Sequence, residues 1–355
     1  QVYYQKAIDF ALEEPNYSLS LGRRFTDYVL LPQAQALYEK VMRAYPDKNF
    51  ILPLARVYGE LGLLDLMFDA YIQLMASNAS YIPTIKRYFA SYVTEDPKSL
   101  GNLSLKKALL QKLRGTPNVL YNELLSWLFA QQQDYQKAFI QEKAIFNRQP
   151  ESLDRIVELA NIAINENEEV VAKEILTYLI VTAQDLDTLL RTNDSLLQIE
   201  IKESSNKDYE KINENFLILF NQYGTFSQTL DLQIAYAHFL GFYYNQTSQA
   251  TSFLENTLKL PLNDLQKAQV KLELGDIYVL REEFNTALVY YTQIQRSLKN
   301  STISQEARFK VAKTSYYKGD FTWAESQLKI LKASTSQLIA NDALDLKLLI
   351  SDNKY

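Results

Sequence analysis

Side chains that could carry out catalysis are scarce in this sequence. It has one histidine, His238, and no cysteine, so thiolate nucleophiles, disulfides and cysteine-based zinc sites are excluded. A single histidine leaves most histidine metal sites and serine–histidine–aspartate triads incomplete unless a partner supplies residues. We interpret His238, at the close-packed site of a predicted helix, as a buried packing residue rather than as a ligand.

Acidic clusters are the other source of possible chemistry. Glu166, Glu168 and Glu169 form one cluster, and Glu282 and Glu283 form another. Both fall in predicted turns, where a solvated loop is favoured over a general acid–base pair that faces a cleft. The sequence contains no glycine-rich phosphate loop, HExxH, EF-hand or GxSxG motif. We therefore predict no catalytic residue, no cofactor and no metal site.

The elements that hold these residues are predicted to be helices. Gly and Pro number only 9 each among 355 residues, too few for the frequent turns of a β-sandwich or barrel. The net charge is −5, and no strongly basic stretch occurs, which argues against nucleic acid as a partner. No apolar run reaches the ~20 residues of a membrane span. Membrane contact is expected only indirectly, through a partner.

One spacing pattern recurs along the chain. A Leu-Gly pair is followed by an aromatic residue, a small residue and a second aromatic residue, as in Leu274-Gly275, Tyr278, Ala287 and Tyr291. These spacings align the residues on one face of each of two successive helices, and the small residues allow the two helices to cross closely. The same frame returns, in whole or in part, near Leu21, Leu54, Leu125, Ile156 and Gly319.

With this frame repeated over nearly its whole length, the sequence resembles the tetratricopeptide-repeat (TPR) family. The resemblance implies an all-α fold, a TPR-like α-solenoid of antiparallel helix pairs stacked in a right-handed superhelix. Single helices are expected at 2–13 and 337–351. The helix pairs between them are expected at about 15–47, 48–80, 82–116, 119–149, 152–183, 185–224, 230–260, 265–299 and 304–335.

Two stretches interrupt the signature and suggest how the chain is divided. Residues 82–118 and 185–230 are helical by pattern but lack the characteristic residues. The polar run 203–208 is either a linker or a loop between helices. We predict an N-terminal array at 1–203, with 82–118 and 185–203 degenerate, and a C-terminal array at 204–355.

The resemblance also implies a binding surface, because the first helices of TPR pairs line a concave groove. An aromatic groove of this kind suits an extended peptide or an apolar helix, although the same aromatic residues would also serve to pack neighbouring repeats. Some TPR proteins hold a C-terminal carboxylate with Lys and Asn, and Leu272 and Asp276 at the matching positions argue against such capture. The predicted partner-binding residues are Phe239, Phe242, Tyr243, Phe309, Lys313, Tyr316, Tyr317, Arg23 and Arg56.

The sequence therefore predicts a non-catalytic scaffold or adaptor for protein partners. In its composition and its long TPR-like array, the sequence resembles bacterial periplasmic TPR adaptors that serve outer-membrane protein assembly or secretion. It starts at Gln1 without Met, as expected after removal of a signal peptide or after trimming of the chain. Two alternatives stay open. One is the superhelical part of a larger envelope enzyme, such as a lytic transglycosylase that continues past Tyr355, and the other is a cytoplasmic peptide-binding regulatory module.

Overall fold

The computed structural model describes residues 2–115, 117–299, 301–331 and 337–352, and among these it contains helices and turns but no strand. The chain divides into two compact units, Gln1–Ile175 and Leu176–Tyr355. Helix α11 crosses the division. Residues 204–208 join two helices inside the second unit. The division into an N-terminal array at 1–203 and a C-terminal array at 204–355 stays a prediction.

The first unit begins with a single helix, which is followed by antiparallel pairs. Its helices are α1 Val2–Glu13, α2 Ser18–Asp27, α3 Leu31–Ala44, α4 Ile51–Glu60, α5 Leu64–Ser77, α6 Ile82–Phe89, α7 Leu100–Gly115, α8 Val119–Gln131, α9 Tyr135–Arg148, α10 Asp154–Asn165 and the start of α11 Glu169–Thr182.

The second unit continues with four pairs and a final helix. Its helices are the end of α11, α12 Leu186–Glu203, α13 Tyr209–Tyr223, α14 Leu230–His238, α15 Thr247–Thr257, α16 Asp264–Leu280, α17 Phe284–Ser297, α18 Thr302–Tyr317, α19 Phe321–Leu331 and α20 Gln337–Asp352. The predicted helix pairs are confirmed in their number and approximate bounds over the described residues. The end of the predicted pair at 304–335 lies partly outside them.

The same tight turn joins the two helices in most pairs. One residue of each turn has a positive φ, and the next N–H then closes the turn on a carbonyl of the preceding helix, as in a Schellman motif. In six turns this carbonyl lies five positions earlier in the chain. The repetition of one backbone turn marks a true structural repeat. The positive-φ residues are Val29, Gly62, Gln133, Asn167, Asn245, Glu282 and Gly319.

Small residues at the helix crossings explain why the pairs pack so closely. A Cβ atom on Gly22 would lie 2.2 Å from the ring of Tyr38, and one on Gly275 would lie 2.3 Å from the ring of Tyr291. Both tyrosines are almost completely buried. Each aromatic ring of a second helix therefore fills the space that the glycine of the first helix leaves empty, as the spacing predicts.

The stretch without the signature, 82–118, forms a shortened pair. Helix α6 ends at Phe89, and a long connection leads to α7. The buried side chain of Asn102 holds this connection, because its Nδ2 donates hydrogen bonds of 2.7 Å to the carbonyls of Thr94 and Asp96. The missing repeat residues are thus replaced by a loop that one buried amide organises.

Candidate functional site

The first helices of successive pairs in the second unit line two adjoining hollows. The apolar hollow has a volume of about 380 Å³ and lies along α14, α16 and α18. Side chains of opposite charge are set among its aromatic and aliphatic walls. The residues that line it are His238, Phe242, Asp276, Val279, Leu280, Tyr291, Lys310, Lys313, Thr314 and Tyr317.

Each first helix contributes a polar residue to this hollow from the same position of the repeat. The small, buried residue of each helix is followed directly by a residue that faces the hollow. Because the helices repeat with the same register, these residues lie side by side across the array. The three dipeptides are Ala237-His238, Gly275-Asp276 and Ala312-Lys313.

A π-helical turn at Phe239–Tyr243 changes the register of α14 and corrects two sequence expectations. In this turn the N–H of Tyr244 donates to the carbonyl of Phe239, five positions earlier. The turn to α15 then closes from the N–H of Gln246 to the carbonyl of Leu240, six positions earlier instead of five, so the helix contains one residue more than its neighbours. His238 therefore faces the hollow, with 43 % of its side chain exposed, instead of filling the close-packed site. Ala237 fills that site.

Phe239, predicted to contact a partner, is wrongly assigned for the same reason. It is completely buried, and its ring lies 5.7 Å from that of Phe216 and 5.6 Å from that of Tyr244. The extra residue turns Phe239 into the core, where its packing stabilises the repeat. Phe239 is therefore not part of the candidate surface.

Apart from Tyr243, the other predicted residues of this unit divide into two groups. Phe242, Lys313 and Tyr317 meet in the apolar hollow, and the two rings are 39 % and 50 % exposed. Phe309 and Tyr316 are half-buried against the core of the last helices and contribute mainly to packing.

Tyr243 lies beside the apolar hollow rather than in its lining. It is 42 % exposed, and its ring centroid lies 6.0 Å from that of His238. It is therefore adjacent to the apolar hollow, although it is not among the side chains that line the hollow. A ligand that extends past His238 would reach it.

Asp276 is held between two neighbours inside the apolar hollow. The Tyr291 hydroxyl donates a 2.6 Å hydrogen bond to its Oδ1, and Lys310 Nζ lies 2.7 Å from its Oδ2. Burial, with the nearby Asp276 carboxylate, raises the pKa of Tyr291. Among the described residues Lys313 has no carboxylate partner, so it is the cation of this hollow that is available to a ligand.

The second hollow, the acidic hollow, adjoins the first through His238. Its volume is about 360 Å³, and it lies along α12, α14 and α16. The carboxylates of Asp194, Asp231 and Glu273 all face it. The full lining is Asp194, Gln198, Asp231, Ile234, Ala235, His238, Gln269, Leu272 and Glu273.

Asp194 is the most unusual group of the acidic hollow. Its Oδ1 is buried and has no hydrogen-bond partner among the described residues. The pKa of Asp194 is raised to about 6, mainly by burial; a hydrogen bond with Gln198 opposes this change, and the charge of Asp231 adds to it. The carboxylate is therefore ionised at neutral pH but incompletely satisfied by the protein itself.

His238 connects the two hollows and forms a hydrogen bond with Glu273. Its Nδ1 lies 2.9 Å from Oε1 of Glu273, and its ring stacks on Phe242 with centroids 4.5 Å apart. The hydrogen bond to Glu273 raises the pKa of His238, although partial burial acts in the opposite direction. His238 is thus a packed but accessible wall residue of both hollows.

The predicted arginines of the first unit line a separate hollow of about 540 Å³ along α2 and α4. Arg23 and Arg56 follow the small residues Gly22 and Ala55, the same repeat position as His238. The Arg56 guanidinium is 4.8 Å from the ring centroid of Tyr88 and donates a hydrogen bond to its hydroxyl. This hollow also contains acidic residues, so its charge is mixed. They are Asp27 and Glu60.

Sequence reasoning missed several residues of the site. It did not select Lys310, Leu280 or the carboxylate of Asp194, and it interpreted His238 as buried. A usable signal existed, because Ala237 is the small residue that fits the close-packed site once one extra residue is allowed in α14. Nothing in the spacing itself reveals that extra residue.

The fold and its repeated contacts define a TPR-like helical-repeat protein. No family model matches the sequence, and no curated protein matches it. Two solved structures are similar in fold. BtubC (BKLC) from P. vanneervenii is 14 % identical and has a TM-score of 0.46, covering 59 % of this chain and 89 % of that one. PilW, a type IV pilus biogenesis factor, is 14 % identical with a TM-score of 0.43, covering 64 % and 98 %.

A third similar structure covers more of the chain. A TPR protein from Parabacteroides merdae is 13 % identical with a TM-score of 0.37, covering 86 % of this chain and 98 % of that one. Scores and identities this low bear on neither the partner nor the location of this chain. Within the described ranges, no helix has the length and apolar character of a membrane span. No cluster of metal-binding side chains occurs there either.

Proposed function

We propose that the protein is a non-catalytic scaffold that binds an extended segment of a partner protein along α12, α14, α16 and α18. The groove, by which we mean the apolar and acidic hollows together, is the surface that would hold it. One observation carries the proposal. The rings of Phe242 and Tyr317 remain substantially exposed on the walls of one apolar hollow, whereas their neighbours Phe239 and Tyr316 are packed into the repeats.

Exposed aromatic residues in a concave surface are the usual anchors of protein interfaces, because they bury a large apolar area at a small entropic cost. Apolar patches left open to water also have a solvation cost that a partner would remove. The polar groups that point into the same hollow would fix the register of the bound segment. These features support binding rather than chemical transformation.

The location is part of the proposal. We place the protein in the bacterial periplasm, as an adaptor in a complex that assembles outer-membrane proteins or secretes them. This part rests on the resemblance of the sequence to periplasmic TPR adaptors. Fractionation of cells tests it directly, because recovery of the protein from the cytosol would contradict it.

Affinity purification from the native membrane fraction tests the binding function. The full-length tagged protein, its Phe242→Ala/Tyr317→Ala variant and a Trp323→Ala control would be recovered in mild detergent and their partners quantified by mass spectrometry. Trp323 is 51 % exposed on the second helix α19, outside the groove. The proposal predicts a stoichiometric partner that is lost from the double variant alone. Equal recovery from all three proteins would contradict it.

A further inference from the structure

The two hollows of the groove differ in charge along a single direction across the helices. The side facing α12 contains the acidic residues Asp194, Asp231 and Glu273. The side facing α18 contains Lys310 and Lys313, and Lys310 is already paired with Asp276. The apolar hollow, which adjoins the acidic hollow, has an apolar surface formed by Phe242, Val279, Leu280 and Tyr317.

From this arrangement we infer that the groove selects an extended peptide with an apolar anchor, a basic side chain on the α12 side and an acidic side chain on the α18 side. The inference rests on the proposed function and specifies its ligand. It differs from capture of a terminal carboxylate, since it requires internal side chains of both charges.

The apolar anchor belongs in the hollow between Phe242 and Tyr317. These rings, with Leu280, line a hollow of about 380 Å³, which has room for an aromatic or large aliphatic side chain. The ring of Phe242 is held by its stacking on His238, whose ring centroid lies 4.5 Å away. The wall is therefore preorganised before a ligand arrives.

The basic side chain belongs in the acidic hollow. Glu273 is partly satisfied by His238, but Asp194 Oδ1 is buried without a partner among the described residues. Asp231 adds a second carboxylate from α14. A guanidinium or ammonium group in this hollow would place a positive charge beside these carboxylates, which is the charge complementarity on which the assignment depends.

The acidic side chain is assigned to Lys313. Its Nζ lies 6.0 Å from the ring centroid of Tyr317, and no carboxylate of the described residues pairs with it. A ligand carboxylate can reach Lys313 without displacing an existing ion pair. Lys310, by contrast, already forms an ion pair with Asp276, whose Oδ2 and Oδ1 lie 2.7 and 2.9 Å from Lys310 Nζ.

Helix spacing sets the distance between the ligand residues. Packed helices lie 8–10 Å apart, and an extended chain advances about 3.3 Å per residue, so neighbouring hollows correspond to about three residues. The best ligand thus has its basic residue about three positions from its apolar anchor. Its acidic residue lies about two positions beyond the anchor on the other side, because Lys313 belongs to the same hollow as the anchor and its Nζ is 6.0 Å from the ring centroid of Tyr317. The peptide can run in either direction across the groove, so its basic residue can come before or after the acidic one in its sequence.

Binding of fluorescent synthetic peptides to the full-length protein tests the inference. The reference peptide carries Arg, Phe and Glu at the stated spacing, and its relatives replace Arg by Gln, Phe by Ala, or Glu by Lys. We expect the Arg→Gln peptide to bind about tenfold more weakly, as for a charge-assisted hydrogen bond. The Glu→Lys peptide is expected to lose about two- to fivefold, as for an exposed pair.

A charge-reversal variant provides the decisive control. Lys313→Glu is expected to weaken the reference peptide and to strengthen the Glu→Lys peptide, because the pair is restored with opposite signs. Asp231→Asn should weaken the reference peptide but leave the Arg→Gln peptide unchanged. Both positions are exposed, so neither change disturbs the core.

The possible outcomes separate the inference from the proposed function. Equal affinity for the charged and the neutral peptides would overturn the charge assignment but leave an aromatic-anchored binding function intact. No binding of any peptide, with a partner still lost on Phe242→Ala/Tyr317→Ala, would likewise overturn the inference alone. Failure of both the peptides and the partner recovery would overturn the proposed function as well.

Discussion

His238 and Glu273 contact each other through the same two repeat positions that join Asp276 to Lys310 one helix pair later. In each case the residue after the small residue of one first helix meets a residue of the next first helix, at 2.9 Å and 2.7 Å respectively. In the first contact the basic residue, His238, precedes the acidic one, whereas in the second contact the acidic residue, Asp276, precedes the basic one. Consecutive repeats thus use one geometry to hold together, yet they present different electrostatic surfaces to the groove.

The close crossing of α16 and α17 gives a stability prediction. Gly275→Ala places a Cβ atom within 2.3 Å of the Tyr291 ring, so we expect a loss of about 1–3 kcal/mol in the free energy of unfolding. Gly115→Ala is the matched control, since nothing lies within 4 Å of its Cβ. It should be neutral or stabilising by up to about 1 kcal/mol. Urea unfolding of both variants measures the difference, and equal midpoints would contradict the packing described here.

An ion pair in the first unit gives a second prediction. Arg155 forms two hydrogen bonds, of 2.7 and 2.8 Å, with Glu142, which is only 5 % exposed. Arg155→Ala leaves this carboxylate buried without its cation. Because Arg155 is itself partly exposed, we expect a loss of about 2 kcal/mol, below that of a fully buried pair.

Lys107→Ala is the control for that pair. Lys107 and Asp65 form an exposed ion pair, with more than half of each side chain in contact with water. Its removal should change the free energy of unfolding by less than about 1 kcal/mol. Thermal denaturation of both variants is the measurement, and a larger effect for Lys107→Ala would refute the assignment.

The raised pKa of Asp194 predicts a pH-dependent stability. The folded protein binds this proton more tightly than the unfolded chain does, so stability is lost as the pH rises from the ordinary value of 3.8 through about 6. Asp194→Asn should remove this dependence and stabilise the protein at neutral pH by up to roughly 3 kcal/mol. Asp187→Asn, an exposed position on the same helix, is the control. A variant less stable than the wild type at neutral pH would disprove this account.

The same group predicts how ligand binding responds to pH. A basic side chain favours ionised Asp194, so affinity for the Arg–Phe–Glu peptide should fall as the pH is lowered through about 6. Protonation of His238 acts in the same direction, while Asp231 and Glu273 supply the remaining charge of the hollow. Fluorescence anisotropy across this range measures the profile. Asp194→Asn should flatten it, and an unchanged profile in that variant would argue against the acidic hollow.

Much of the fold could be predicted from local spacing alone. Gly22 with Tyr38 and Gly275 with Tyr291 are separated along the chain by the interval that places them at one crossing, and the structure confirms both contacts. Periodicity carries this information because it depends only on helix geometry. The helix pairs followed from it directly.

The site was less predictable because it depends on one inserted residue. Counting back from Ala250 puts His238 at the close-packed site, whereas the π-helical turn gives that site to Ala237. A shift of one residue also exchanges Phe239 for His238 as the groove-facing side chain. The ion pairs between repeats, such as Asp276 with Lys310, depend on side-chain conformations that spacing does not determine.

Site-specific photo-crosslinking in living cells tests the central claim most directly. A photoreactive phenylalanine analogue would replace Tyr317 in the groove or Trp323 on α19, where both side chains are about half exposed. The account predicts a covalent partner adduct from position 317 after irradiation and none from position 323. Adducts from position 323 alone, or the same adducts from both, would contradict binding in the groove.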